Sequence, residues 1–203
     1  MLFDGVEVLD FAGPFEVFGV AGWQQPRPPF DVYTVSVGRP EVSARNGLRV
    51  GVDYPSAAPE PDVLVIPGGF GTRRERHNPA LIEFIGRTAA SAGTVLTVCT
   101  GALLAADAGL LAGKDATTHI GAVDELAACR PAITVHGQAR IVDNGDIVCS
   151  AGISAGIDAS LYLVSKLTSP DLAADTADYM QYDWSHRTPD GRAVIDVTTS
   201  TAE

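Results

Sequence analysis

The sequence predicts an α/β fold with a mostly parallel sheet and helices on both faces. Three observations lead there. Val63-Leu64-Val65-Ile66 and Thr94-Val95-Leu96-Thr97-Val98 are short apolar or β-branched runs without alternation, as strands buried on both faces must be. Between them, residues 79–92 carry Leu81, Phe84, Ile85 and Ala89 on one helical stripe. A strand–helix–strand unit of this length makes the two strands parallel neighbours or near neighbours, joined by a right-handed crossover.

The other elements follow in order. Met1 to Phe3 would form a first strand before Asp4-Gly5, shorter than the usual five or six residues. That brevity leads us to expect a trimmed chain or a misassigned start. A helix is expected to start near Gly13-Pro14. Gln24-Gln25-Pro26-Arg27-Pro28-Pro29 reads as a loop, and residues 30–37 alternate like a strand. Asn78-Pro79 supplies an N-cap and first-turn pair for the helix that follows. Residues 139–142 and 147–150 flank Asp143-Asn144-Gly145-Asp146, a strong hairpin signal. Residues 153–167 form a long helix, and Pro170 begins another. The chain reads as one domain over 1–203, with a polar tail, about 186–203, expected to be irregular.

Composition narrows the function. The chain has 203 residues, of which 46% are hydrophobic and 19% charged, with a net charge of −11. That is globular, not disordered. An acidic domain repels phosphate backbones, which argues against nucleic acid as a partner. No apolar run approaches the roughly 18 residues of a membrane span, and no secretory leader is present, so a cytoplasmic protein without a membrane partner is expected. Cys99, Cys129 and Cys149 are too few and too scattered for a disulfide framework. No metal-ligand spacing occurs, so neither metal nor cofactor is expected.

Val98-Cys99-Thr100-Gly101-Ala102-Leu103-Leu104-Ala105 carries the most chemistry. An apolar strand stops at a cysteine and a helix of Ala and Leu follows, a pattern that resembles a nucleophile elbow. Thr97 stands where the serine version has its first glycine. A thiol there faces the ligand-binding end of a parallel sheet. The following helix N-terminus should favour the thiolate and lower its pKa. A small buried hydrophobe would occupy the same position equally well. Pro67-Gly68-Gly69-Phe70-Gly71 ends another buried strand, and its amides could form an anion or oxyanion site.

These residues, with others in the same order, are similar to the ThiJ/PfpI superfamily of cysteine proteins. The matching stretches are Asp4-Gly5-Val6-Glu7-Val8-Leu9-Asp10-Phe11-Ala12-Gly13-Pro14, Ile66-Pro67-Gly68-Gly69, Val98-Cys99-Thr100-Gly101, Ala116-Thr117-Thr118-His119 and Gly152-Ile153-Ser154-Ala155-Gly156-Ile157-Asp158. Within the superfamily they most resemble the isocyanide hydratase branch, with Ser154 where that branch often has threonine. Peptidase branches carry histidine where Thr100 stands, and deglycase and glyoxalase branches carry glutamate where Asp10 stands.

The resemblance implies a flavodoxin-like, class I glutamine amidotransferase-like fold and a homodimer acting on a small electrophile. It makes Cys99 the nucleophile and Asp10 its acid partner. Gly69 and Thr100 would supply backbone donors, and Gly68, Ile153 and His119 would line the pocket. The implied reaction hydrates a small isocyanide to an N-substituted formamide through a covalent thioimidate. A reactive-carbonyl enzyme and a non-enzymatic redox sensor are the alternatives. From position alone, Asp10 could equally be a helix cap.

The remaining residues point to structure. Cys129 and Cys149 read as structural. His77, His136 and His186 read as surface residues. Arg73, Arg74 and Arg76 form either a solvated face or a lure for anions. Asp158 reads as a helix-start or packing residue, and Trp23 and Trp184 as packing or pocket edge.

Overall fold

In the computed structural model, which describes residues 1–129, 132–184 and the backbone of 194–196, the chain opens with an extended segment that forms no strand. The Met1 amino group donates to Val65 O at 2.9 Å, and Leu2 N–H donates to Val35 O at 2.6 Å. Helix α1 (Val8–Val20) follows, starting well before the expected Gly13-Pro14. Pro14 lies inside it, so the Asp10 carbonyl has no helical N–H to receive.

Residues 30–37 do not form the expected strand. They are extended, with one isolated bridge from Val35 to Tyr54. Their neighbours are short, the residues that open the chain on one side and the segment around Tyr54 on the other, too few for a ladder. Strands β1 (Glu41–Ser43) and β2 (Arg49–Gly51) then form a small antiparallel pair.

The central unit forms as the apolar runs require. Strand β3 (Val63–Ile66), helices α2 (Thr72–Glu75) and α3 (Pro79–Ser91), and strand β4 (Thr94–Val98) follow in order, with β3 and β4 parallel neighbours. Asn78 precedes α3, but its side chain donates to Glu75 rather than capping the helix. Helix α4 (Gly101–Asp107) leaves β4 almost at once. Strand β5 (Asp115–Ala116), helix α5 (Val123–Ala127) and strand β6 (Thr134–Val135) form a small parallel flank.

Strands β7 (Ile141–Asp143) and β8 (Ile147–Ser150) are the antiparallel hairpin that the Asn-Gly pair signals. Helix α6 (Ala155–Leu167) begins two residues after the expected Ile153, which has a left-handed φ of 53°. Helix α7 (Pro170–Tyr179) is capped by Ser169, whose hydroxyl accepts from Leu172 N–H at 3.1 Å. Strand β9 (Val194–Asp196) pairs parallel with β7. The expected irregular tail therefore contains a strand, and the rest of it lies outside the described residues.

The main sheet runs β3-β4-β8-β7-β9, mixed but mostly parallel. Alternation along its strands makes two cores. Leu64, Ile66, Val95 and Cys149 face α3 and α4, where Leu81, Ile85, Leu103 and Leu104 are buried. Leu96, Val98 and Val148 face α1, α6 and α7, where Val17, Leu161, Leu163 and Ala173 are buried. This is why β3 and β4 show no polar alternation: both faces are covered. Among the described residues no helix is long and apolar enough to cross a membrane.

Candidate active site

Cys99 sits between β4 and α4 with a φ of 58°, a left-handed twist that turns the chain sharply. Its backbone is held from both sides. The Cys99 N–H lies 3.2 Å from both Ser150 O and Ala151 O, and Thr118 Oγ1 donates to Cys99 O at 2.8 Å. Gly101 permits the turn, since a β-carbon there would collide with Ile66 O at the end of β3. The thiol itself is buried, with Cys99 only 5% exposed.

Asp10 comes to this thiol from the first turn of α1 and is wholly buried. Its Oδ2 accepts from Gly68 N–H at 3.0 Å. Its Oδ1 has no well-aligned protein partner, although the Cys99 thiol lies close enough to perturb the carboxyl. Asp10 is therefore an interior helix residue rather than a cap. Burial pushes its pKa up to about 7; Gly68 N–H and the thiol pull against that, and the Glu7 charge adds to it.

The thiol behaves opposite to the sequence expectation. Its pKa is pushed up to about 12, first by burial and then by the Asp10 charge. Amides of Thr100 and Ile153 face the sulfur and oppose the rise without overcoming it. Helix α4, only seven residues long, lends little dipole. Asp10 and Cys99 are best regarded as one coupled acid pair.

The backbone donors also differ from those expected. Gly69 N–H is taken by Thr100 Oγ1 at 2.9 Å, and that hydroxyl lies 3.0 Å from Thr72 Oγ1. Gly69 thus braces the turn instead of facing the sulfur, and Ile153 supplies the second amide. The left-handed φ of Ile153 accompanies that orientation and costs about 1 kcal/mol. Gly68 serves through the bond to Asp10. His119 lies on the same side, its ring against Gly152 where a β-carbon would clash. Its Nδ1 accepts from Gly121 N–H at 3.0 Å, so the neutral ring carries its proton on Nε2. Leu9, Phe70, Ile120 and Ile153 are exposed apolar residues on the segments that converge here.

The other singled-out side chains are engaged elsewhere. Arg73 pairs with Glu125, Arg74 with Glu75, and Arg76 with both Asp107 and Glu125. His136 is not a lone surface residue: its Nε2 lies 2.5 Å from Asp115 Oδ1. His77 is exposed, and His186 lies outside the described residues. Cys149 is wholly buried in β8, and Cys129 lies 3.5 Å from Arg76 Nη2. Asp158, in the first turn of α6, binds Arg140 and Tyr182. Trp23 packs at a tilt against Tyr179, and Trp184 packs beside the α6 core. A cavity of about 1040 Å³ runs along the outer edge of β3 and includes none of the site residues. Among the described residues no three His, Cys, Asp or Glu side chains could hold a metal ion.

Sequence reasoning missed Thr72, the Ile153 amide and Glu7. Glu7 lies within the Asp4-to-Pro14 stretch and could have been flagged there. The others carry no local signal.

Comparison with known proteins places the chain among relatives of similar sequence and fold. An isonitrile hydratase of Pseudomonas putida is 35% identical over 177 residues, covering 85% of this chain and 72% of that protein. The HTH-type transcriptional regulator CdhR of Pseudomonas aeruginosa is 31% identical over 185 residues, covering 88% of this chain. The aligned region is 52% of that regulator, so the chain spans about half its length. The crystal structure of a ThiJ/PfpI family protein from Pseudomonas syringae matches with a TM-score of 0.80 at 27% identity, covering 94% of this chain and 76% of that one. The sequence pattern of the DJ-1/PfpI family matches residues 1–166, most of the length, and the chain belongs to that family.

Proposed function

We propose that this chain is a cysteine-dependent hydratase that converts a small isocyanide into an N-substituted formamide. The observation that carries the reading is the buried Asp10–Cys99 pair, able to exchange one proton beneath the Thr100 and Ile153 amides. Similarity to an isonitrile hydratase supports the choice of substrate class. On this reading the β4–Cys99–α4 turn is a nucleophile elbow in a flavodoxin-like, class I glutamine amidotransferase-like fold.

The chemistry follows from the pair. Asp10 takes the thiol proton, and the sulfur attacks the terminal isocyanide carbon, forming a C–S bond. Asp10 returns the proton to that same carbon, which gives a thioimidate. Water then adds across the C=N bond, its oxygen to carbon and a proton to nitrogen. Asp10 relays the water's protons. Breaking the C–S bond releases the formamide, and the departing sulfur recovers its proton. Thr100 and Ile153 amides stabilise the sulfur whenever it carries charge. Gly68 fixes Asp10, and His119 with Ile153 walls the pocket.

The burial of Cys99 counts against a peroxide sensor, whose thiol must be exposed to the oxidant. The three free thiols suit a reducing compartment such as the cytoplasm. The exposed Leu9 and Phe15 on α1 suit a homodimer.

The test is a panel of small isocyanides and reactive carbonyls assayed with wild type, Cys99→Ala and Asp10→Asn. Formamide should form with wild type alone. Hydroxyacid from the carbonyls, without formamide, would move the protein to the reactive-carbonyl reading.

A further inference from the structure

The Gly68 N–H that holds Asp10 belongs to the loop after β3, and that loop is itself held by the segment before α1. Glu7 N–H donates to Gly68 O at 2.9 Å, Gly71 N–H donates to Gly5 O at 3.0 Å, and Val6 bridges Gly69. Arg74, from α2, donates to Asp4 O at 2.6 Å, and a second side chain reaches both segments from outside them. Arg45, from the turn between β1 and β2, donates its backbone N–H to Val6 O at 2.8 Å. Its guanidinium binds Glu7 Oε2 at 3.0 Å and lies 4.0 Å from the centre of the Phe70 ring. Phe70 is 68% exposed, so Arg45 is its anchor on the surface.

We propose that Arg45 is a positioning residue: it clamps residues 5–7 against the loop 68–71 and so fixes the Asp10 carboxyl beside the Cys99 sulfur. The inference rests on the reading of Asp10 as the proton carrier. The charged and titratable groups that act on Asp10 are Cys99, from the end of β4, and Glu7, from the start of its own helix. Helix α6 packs against α1 with Ile157 over Gly13, and its Asp158 is turned to Arg140 and Tyr182. Arg45 thus bears on Asp10 through Glu7. Without it the Glu7 carboxylate is unopposed, and Asp10 keeps its proton to higher pH.

The test is an infrared titration of the protonated carboxyl band that disappears in Asp10→Asn. It is run on wild type, Arg45→Gln, Arg45→Lys and Glu7→Gln alongside formamide formation. In Arg45→Gln the midpoint should rise by about half a pH unit, and in Glu7→Gln it should fall by a similar amount. Arg45→Lys should stay near wild type. Formamide formation should fall about tenfold in Arg45→Gln, in kcat rather than KM, and recover in Arg45→Lys.

An unmoved midpoint in both Arg45→Gln and Glu7→Gln, or no recovery with lysine, would overturn the proposal. Glu7→Gln decides the matter if Arg45→Gln fails to fold. The infrared band needs no substrate. The expected shifts in a protein inert toward isocyanides would uphold Arg45 and sink the hydratase reading instead.

Discussion

At the scale of single residues, the coupled burial of Asp10 and Cys99 leads to expectations about pH. Removing the Asp10 charge removes the like-charge repulsion on the sulfur. In Asp10→Asn the thiol pKa should fall from about 12, seen as faster alkylation of Cys99 at neutral pH, while hydration is lost. Faster alkylation without turnover separates nucleophile supply from proton delivery. Stability should respond too. Asp10 has a folded pKa of about 7, above its ordinary value of 3.8. Protonated Asp10 therefore suits the folded state: its contribution is complete below about pH 4 and is lost as pH rises through 7. The melting temperature of Asp10→Asn, compared with wild type, should gain more at pH 8 than at pH 4. An equal gain at both pH values would mean that the carboxyl does not titrate in this range. The residues of this pair could be read from the Asp10 and Cys99 motifs. The direction of the thiol shift could not, because burial and a like charge from a distant segment exist only after folding. Arg45 was equally hidden: nothing in its own neighbourhood of sequence marks it, and its partners Glu7 and Phe70 come from two other segments.

At the scale of elements, legibility followed how much each segment depends on a neighbour. Strands β3 and β4, helix α3 and the β7–β8 hairpin were readable because their apolar runs and Asn-Gly pair specify them locally. Residues 30–37 have the strand pattern but lack a partner long enough to pair with, so pattern alone misleads. Pro14 misled in another way. A proline is favoured in a first turn, yet here it lies deep in α1, and the helix begins at Val8. Helix α4 ties the site to the core, since Leu103 and Leu104 are fully buried against β3 and β4. Leu103→Ala should cost about 2–5 kcal/mol in urea unfolding. Gly101→Ala should cost more than ordinary helix propensity would suggest, because the added methyl meets the Ile66 carbonyl. If Gly101→Ala instead stabilises the protein, as alanine does in open helices, the close approach of α4 to β3 is not maintained in solution.

At the scale of the whole molecule, the sheet collects at one end segments that are remote in the chain. The start of α1, the loop after β3, the end of β4 and the turn before α6 supply Asp10, Gly68, Cys99 and Ile153. This is the expected ligand-binding end of an open α/β sheet, so the general location was legible from fold class alone. The pairing of segments was not, since it depends on strand order. Exposed apolar side chains on α1 lead to a further expectation. Phe15→Asp should shift the sedimentation coefficient toward a monomer if α1 forms the homodimer contact, and an unchanged coefficient would place that contact elsewhere.

The unshared oxygen of Asp10 bears on how a catalytic cycle would end. Oδ1 is buried, and no protein group donates to it in good alignment. An isocyanide offers it nothing, having no hydrogen on nitrogen. A formamide does, because hydration creates an N–H. Once ionised, Asp10 would therefore grip what is made more firmly than what is consumed. Formamides should act as competitive inhibitors of the wild type, with the N,N-dialkylated analogue, lacking that hydrogen, much the weaker.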